Sequence, residues 1–194
     1  MYVHYRETEK IVYFDYHIMK RIIIIGYMGS GKTTVGRALA KELNLPFYDL
    51  DWYIESRMRK KVSQIFAERG EEGFRQIERN MLHEVAEFED VVISCGGGTP
   101  CFFDNMDYLN SQAQVVWLKA TPEVLHRHLL MGKGDRPLLK GKTPDELIAY
   151  IREQLEYREQ FYSKARYVLD VSLMDNYEKI AITVHELCQL LQLE

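Results

Sequence analysis

The sequence predicts an α/β protein, a mostly parallel sheet with helices on both faces. Three observations point there. From Arg21 onward, short apolar runs alternate with stretches of helical period. The runs beginning at Arg21, Val91 and Gln114 are almost wholly apolar, as strands covered on both faces must be. A glycine-rich turn joins the first run to a helix-period stretch. The 194 residues, 46% hydrophobic and 28% charged, suit one compact domain with a real core and exclude a disordered or collagen-like chain.

Residues 1 to 20 are aromatic-rich and irregular, and they read as an N-terminal appendage to a domain over 21–194. An extra edge strand over Ile11 to Phe14, or a start nearer Met19, are the other readings. Strands are expected at Arg21 to Ile25, Pro46 to Asp49, Val91 to Cys95, Gln114 to Leu118 and Tyr167 to Val171, and a helix at Lys32 to Leu43. Thr121-Pro122 and Thr143-Pro144 each put a capping hydroxyl before a proline at the first helical position, and Glu146 completes a capping box with Thr143. Between those helices, residues 131–143 carry three glycines and a proline and read as a mobile loop.

Charge narrows the partners. With 25 Lys plus Arg against 29 Asp plus Glu, the net charge of -4 gives no general attraction to nucleic acid or to an anionic membrane, so neither is expected as a partner. Cys95, Cys101 and Cys188 are an odd number without C-x-x-C spacing, which disfavours a disulfide framework and a structural zinc site and suits a reducing cytoplasm. No apolar run approaches the ~20 residues that span a bilayer, and no export signal precedes Arg21.

Gly26-Tyr27-Met28-Gly29-Ser30-Gly31-Lys32-Thr33 matches G-x-x-x-x-G-K-[ST] between a predicted strand and a predicted helix. In such a loop, glycines turn successive N–H groups toward phosphate oxygens, Lys32 reaches the β and γ phosphates, and Thr33 can ligate Mg²⁺. The guanine-reading N-K-x-D of a GTPase is missing, and the third strand does not end in the Asp of a Walker B motif. An acid is available instead at the end of the second strand, where Asp49 and Asp51 form D-x-D. On an extended chain, a spacing of two puts both side chains on one side. One carboxylate can then hold a magnesium hydration shell while the other takes a hydroxyl proton. Equally, Asp51 can simply cap a helix beginning at Trp52. Gly96-Gly97-Gly98 closes the third strand, where a backbone free of side chains lets a small ligand come close. A plain loop is the other reading.

Taken in order, GYMGSGKTT, FYDLD, EEGFRQIE, SCGGG, GDRPLL and YREQFY give the chain, from Arg21 to about Leu190, a resemblance to the shikimate kinase family. The resemblance implies ATP-dependent phosphorylation of the 3-hydroxyl of shikimate, in the aromatic amino-acid pathway. It further implies a three-layer α/β/α P-loop fold with a five-stranded parallel sheet of order 2-3-1-4-5, a small substrate-binding subdomain and a lid loop at about 131–143. Residue by residue, Gly29, Ser30, Gly31, Lys32, Thr33, Thr34 and Arg136 would bind ATP. Asp51 would bind and deprotonate the acceptor hydroxyl, and Thr33 and Asp49 would serve Mg²⁺ with Ser94 in support. Arg75 and Arg158 would grip the shikimate carboxylate, Gly97 and Gly98 would contact the acceptor, and Phe66 and Phe74 would form an apolar wall or equally belong to the ordinary core. Lys32, Asp51 and Arg136 would be catalytic, and the protein would act as a monomer.

A kinase for another hydroxy acid such as gluconate, or a silent nucleotide-binding module, are the competing readings. Where many members of the family carry an arginine that packs on adenine, this chain reads Arg127-His128-Leu129-Leu130-Met131, leaving Arg127, His128 or an apolar contact as candidates. His126 and His128 point to different faces of a helix, which disfavours a metal pair. Cys95 reads as a small buried residue rather than a reactive thiol.

Overall fold

A computed structural model describes residues 6–7, 10–11, 20–131, 143–174 and 176–193. At the N-terminus, β1 (Arg6–Glu7) and β2 (Lys10–Ile11) pair antiparallel with each other and form a sheet of their own. Of the alternative edge strand over Ile11 to Phe14, Ile11 pairs with Arg6 and not with the main sheet, and residues 12–19 lie outside the described set.

The main sheet has five parallel strands, β3 (Arg21–Ile25), β4 (Phe47–Asp49), β5 (Val91–Ser94), β6 (Gln114–Lys119) and β7 (Tyr167–Asp170). Their spatial order is β4-β5-β3-β6-β7, the expected 2-3-1-4-5 order in chain numbering. β3 has the expected ends, and each of the other four strands differs from expectation by one residue at one end. The central strand explains the isoleucine run. Ile23 and Ile25 enter one core with Val91, Ile93, Val115 and Trp117, while Ile22 and Ile24 enter the other with Val92, Val116 and Leu118. Period-two alternation therefore feeds two cores from one strand, so every position must be apolar.

Helices cover both faces. α1 (Lys32–Glu42) and α7 (Tyr177–Leu190) lie together on one. α2 (Leu50–Met58), α3 (Val62–Val85), α4 (Asn105–Gln112) and α6 (Pro144–Tyr162) contribute to the other core, as does α5 (Pro122–Met131) through Leu125 and Leu129. Both proline-led starts form as expected. Thr121 Oγ1 accepts from Val124 N, and Thr143 and Glu146 complete their reciprocal box at 3.3 and 2.7 Å. α3 breaks at Gly70, whose φ of 67° takes it out of helical geometry, and the stretch that carries Arg75 and Glu78 follows the break. The expected lid loop, with Arg136, lies outside the described residues except at its ends.

Parallel pairing puts functional positions in one row. Asp49 stands opposite Ser94, and Ser94 opposite Ile24, so the carboxyl ends of β4, β5 and β3 come level where the glycine turn begins.

Candidate active site

The turn from β3 into α1 depends on glycine. Gly26 and Gly31 have φ values of 147° and 86°, and a β-carbon on Gly26 would lie 2.7 Å from Leu118 O. Inside the turn, Tyr27 O accepts from Ser30 N at 3.2 Å and from Lys32 Nζ at 2.8 Å. Lys32 is buried. Its ammonium is pushed down to about 8 by burial, against the opposing pull of Asp51 and Asp49. The Ser30 hydroxyl is enclosed and has no partner among the described residues. Thr34, next along, is exposed.

The cap that Asp51 could have supplied falls to Asp49. Asp49 is the cap: its Oδ1 accepts from Asp51 N at 3.2 Å and from Trp52 N at 3.4 Å, and its Oδ2 accepts from Thr33 Oγ1 at 2.8 Å. The helix starts at Leu50, so Asp51 lies in its first turn and neither caps it nor continues an extended strand. Asp51 is thereby left free of local backbone work, and it lies within electrostatic reach of Lys32, Glu78 and Arg75. Burial, then the carboxylates of Glu78 and Asp49, push its carboxyl up to about 6 despite Lys32 and Arg75.

Arg75 and Arg158 come from different helices to one cavity of about 400 Å³, whose wall also includes Gly98, Phe102 and Tyr157. Arg75 is held by Glu78 at 2.8 Å and Glu71 at 3.3 Å, and its guanidinium lies 4.1 Å from the Phe102 ring centre. Arg158 donates to Gly97 O at 3.2 Å and Gln154 Oε1 at 3.1 Å and lies 5.0 Å from the Tyr27 ring centre. A β-carbon on Gly98 would meet Arg75 Nη2 at 2.7 Å, and one on Gly97 would lie 3.3 Å from Met28 N. The second glycine loop therefore touches the arginines on one side and the first glycine loop on the other, as only bare backbone allows.

Phe66 and Phe74 take the core reading, Phe74 as a buried member and Phe66 packed against the same cluster. They stack on each other with centroids 4.2 Å apart behind Arg75, and Phe102 and Tyr157 face the cavity instead. Sequence reading also missed Glu78. It is almost fully buried, bonded to Arg75 and to Thr99 Oγ1 at 2.7 Å, and its place three residues after Arg75 on a helix was the available signal. Tyr162, which donates to Gly97 O, is a second omission. Ser94 and Cys95 are buried beside the site, and burial pushes the Cys95 thiol well up, as suits a packing residue. Met174 packs on Gly31.

A buried lysine in a glycine turn, a carboxylate facing it, and a cavity with paired arginines alongside define a P-loop phosphotransferase for a small anionic acceptor. Comparison with known proteins narrows this. A model of the shikimate kinase family matches residues 28–189. The shikimate kinase of Bacteroides thetaiotaomicron is 53% identical over 175 residues, 90% of this chain and 100% of that protein. A crystal structure of shikimate kinase from that organism aligns with a TM-score of 0.88 at 52% identity, covering 90% of this chain and 99% of the other. Shikimate kinase from Acinetobacter baumannii in complex with shikimate aligns at 0.79 and 29% identity, covering 92% and 97%. The chain belongs to the shikimate kinase family.

Proposed function

We propose that the protein transfers the γ-phosphoryl group of ATP to the 3-hydroxyl of shikimate, giving shikimate 3-phosphate and ADP. The observation that carries this reading is the convergence of Arg75 and Arg158 on one cavity whose glycine loop abuts the phosphate loop. Two planar guanidinium groups suit a carboxylate, and the contact between the loops sets the acceptor beside the donor. Arg75 Nε is enclosed with no partner among the described residues, a donor still to be satisfied.

In the reaction, the acceptor oxygen attacks the γ-phosphorus as the bond to the β–γ bridging oxygen breaks. Asp51 holds the hydroxyl and takes its proton, and Lys32 lies against the charge that develops on the phosphates. Gly29, Ser30, Gly31, Thr33 and Thr34 complete the phosphate cradle, and Gly97 and Gly98 present backbone to the acceptor. Arg136, outside the described residues, is assigned to the ATP phosphates through its GDRPLL motif. Thr33 Oγ1 and Asp49 Oδ2 are hard oxygen donors 2.8 Å apart, a set that fits Mg²⁺, and they would hold it with Ser94 behind them. When bound, the ion neutralises charge on the phosphoryl oxygens. Action as a monomer is part of this proposal. The three cysteines are free and buried, which supports the cytoplasm as the compartment. Among the described residues no helix is long and apolar enough to cross a membrane.

Arg75→Ala and Arg158→Ala are each expected to raise the shikimate KM about 10- to 100-fold, the loss of a charge-assisted bond, with the ATP KM little changed. Steady-state kinetics in both substrates checks this, and an equal loss on ATP would contradict the carboxylate role. The pH profile of kcat/KM should be bell-shaped. Asp51 must be ionised, so activity falls as pH drops through about 6. Lys32 must be protonated, so it falls again as pH rises through about 8.

A further inference from the structure

The end of α5 is built against the phosphate loop. Leu125 and Leu129 are buried, and a β-carbon on Gly29 would lie 3.3 Å from Leu129 Cδ2 and 3.4 Å from Leu125 O. Beside Leu129, His128 places Nδ1 2.9 Å from Gly29 O. A carbonyl oxygen can only accept, so the proton of this bond sits on Nδ1.

The consequence follows from the planar peptide. Gly29 C=O and Ser30 N–H belong to one peptide unit and point in opposite directions. Holding the carbonyl toward α5 turns the Ser30 N–H toward the interior of the loop, where it meets Tyr27 O, the same oxygen that receives Lys32 Nζ. Gly29 itself has φ +86°, and glycine does not hold that conformation by side-chain sterics. Inside the loop the Ser30 N–H bond to Tyr27 O holds one end of this peptide, and His128 and Leu129 hold the other end from outside, from one helical turn.

We propose that His128 is a positioning residue for the phosphate loop: by donating from Nδ1 to Gly29 O it fixes the peptide that aims Ser30 N–H inward, and so sets affinity for the nucleotide phosphates. The proposal rests on the reading of residues 26–33 as the ATP site. It makes His128 a support of the donor site and leaves the acceptor cavity untouched, since His128 is not among the residues that line it.

Two measurements on the full chain test it. In the unmodified protein, ¹⁵N resonances of His128 at about pH 8 should show the Nδ1–H tautomer with Nε2 unprotonated, and the reverse tautomer would overturn the proposal. In ADP titrations by calorimetry, His128→Leu should weaken binding about three- to ten-fold. His128→Asn, whose Nδ2 occupies the place of Nδ1, should bind within about two-fold of the unmodified protein, and neither variant should move the shikimate KM. Equal ADP affinity in all three, or equal weakness in Leu and Asn variants, would overturn the role of His128. Failure of the unmodified protein to bind ADP would instead overturn the nucleotide-site reading.

Discussion

Lys32→Ala is expected to slow phosphoryl transfer by about 10²- to 10³-fold in a protein that still folds. Lys32 Nζ is buried, it touches Tyr27 O inside the phosphate turn, and no other described lysine is buried there. Its ammonium lies below the usual lysine range because burial disfavours the charge, so the side chain is held at a cost to the fold. Removing it relieves that cost and takes away the counter-charge of Asp49 and Asp51, and the two effects oppose each other. The melting temperature should therefore move little while turnover collapses. The same variant makes a second, independent demand. Without Lys32, one of the groups that pulls the Asp51 carboxyl down is lost, so the acid limb of the residual activity should move above pH 6. Turnover close to normal in a folded Lys32→Ala protein would contradict the assignment of the phosphate loop.

Asp51→Asn should lower transfer by about 10²- to 10⁴-fold and leave ATP binding intact. Asparagine keeps the shape and the hydrogen-bonding reach but cannot take a proton from the attacking hydroxyl. A loose transition state would reduce the need for a base and place the loss near the lower figure. Stability should move the other way. The folded carboxyl sits at about 6, above its ordinary 3.8, so its ionised form penalises the fold near neutrality and the penalty is relieved as pH falls from about 6 toward 4. The Asn variant removes the penalty and should be more stable by about 1–2 kcal/mol at neutral pH, with the gain shrinking toward pH 4. Turnover, ATP binding by calorimetry and melting at two pH values check these together. Retention of more than about a third of turnover would return Asp51 to a structural role, because removing a base from its proton cannot be so mild.

Some of this was legible in the chain because local chemistry leaves few choices. Gly26, Gly29 and Gly31 announce a turn that no other residue makes, and the run Ile22 to Ile25 announces a strand with a core on each face. The division of labour between Asp49 and Asp51 was not legible, because which of them caps α2 depends on where the helix starts, and a start at Leu50, two residues before Trp52, moves the cap from Asp51 to Asp49. Whether Phe66 and Phe74 face the cavity or the core was open for a related reason. The break at Gly70 turns the second half of α3, which carries Arg75 toward the cavity while the two rings stack behind it. Glu78 and His128 act on partners distant in sequence or on backbone, Thr99 and Gly29, and neither contact leaves a pattern in spacing.

On this reading the protein joins ATP turnover to a specific acceptor. The direct measurement is ADP release in the presence of ATP and Mg²⁺, with shikimate, with gluconate and with no acceptor, alongside quantification of the phosphorylated product. ADP release that depends on shikimate and matches shikimate 3-phosphate one for one is the predicted result. Release at the same rate without acceptor, or release driven by gluconate in preference to shikimate, would contradict it.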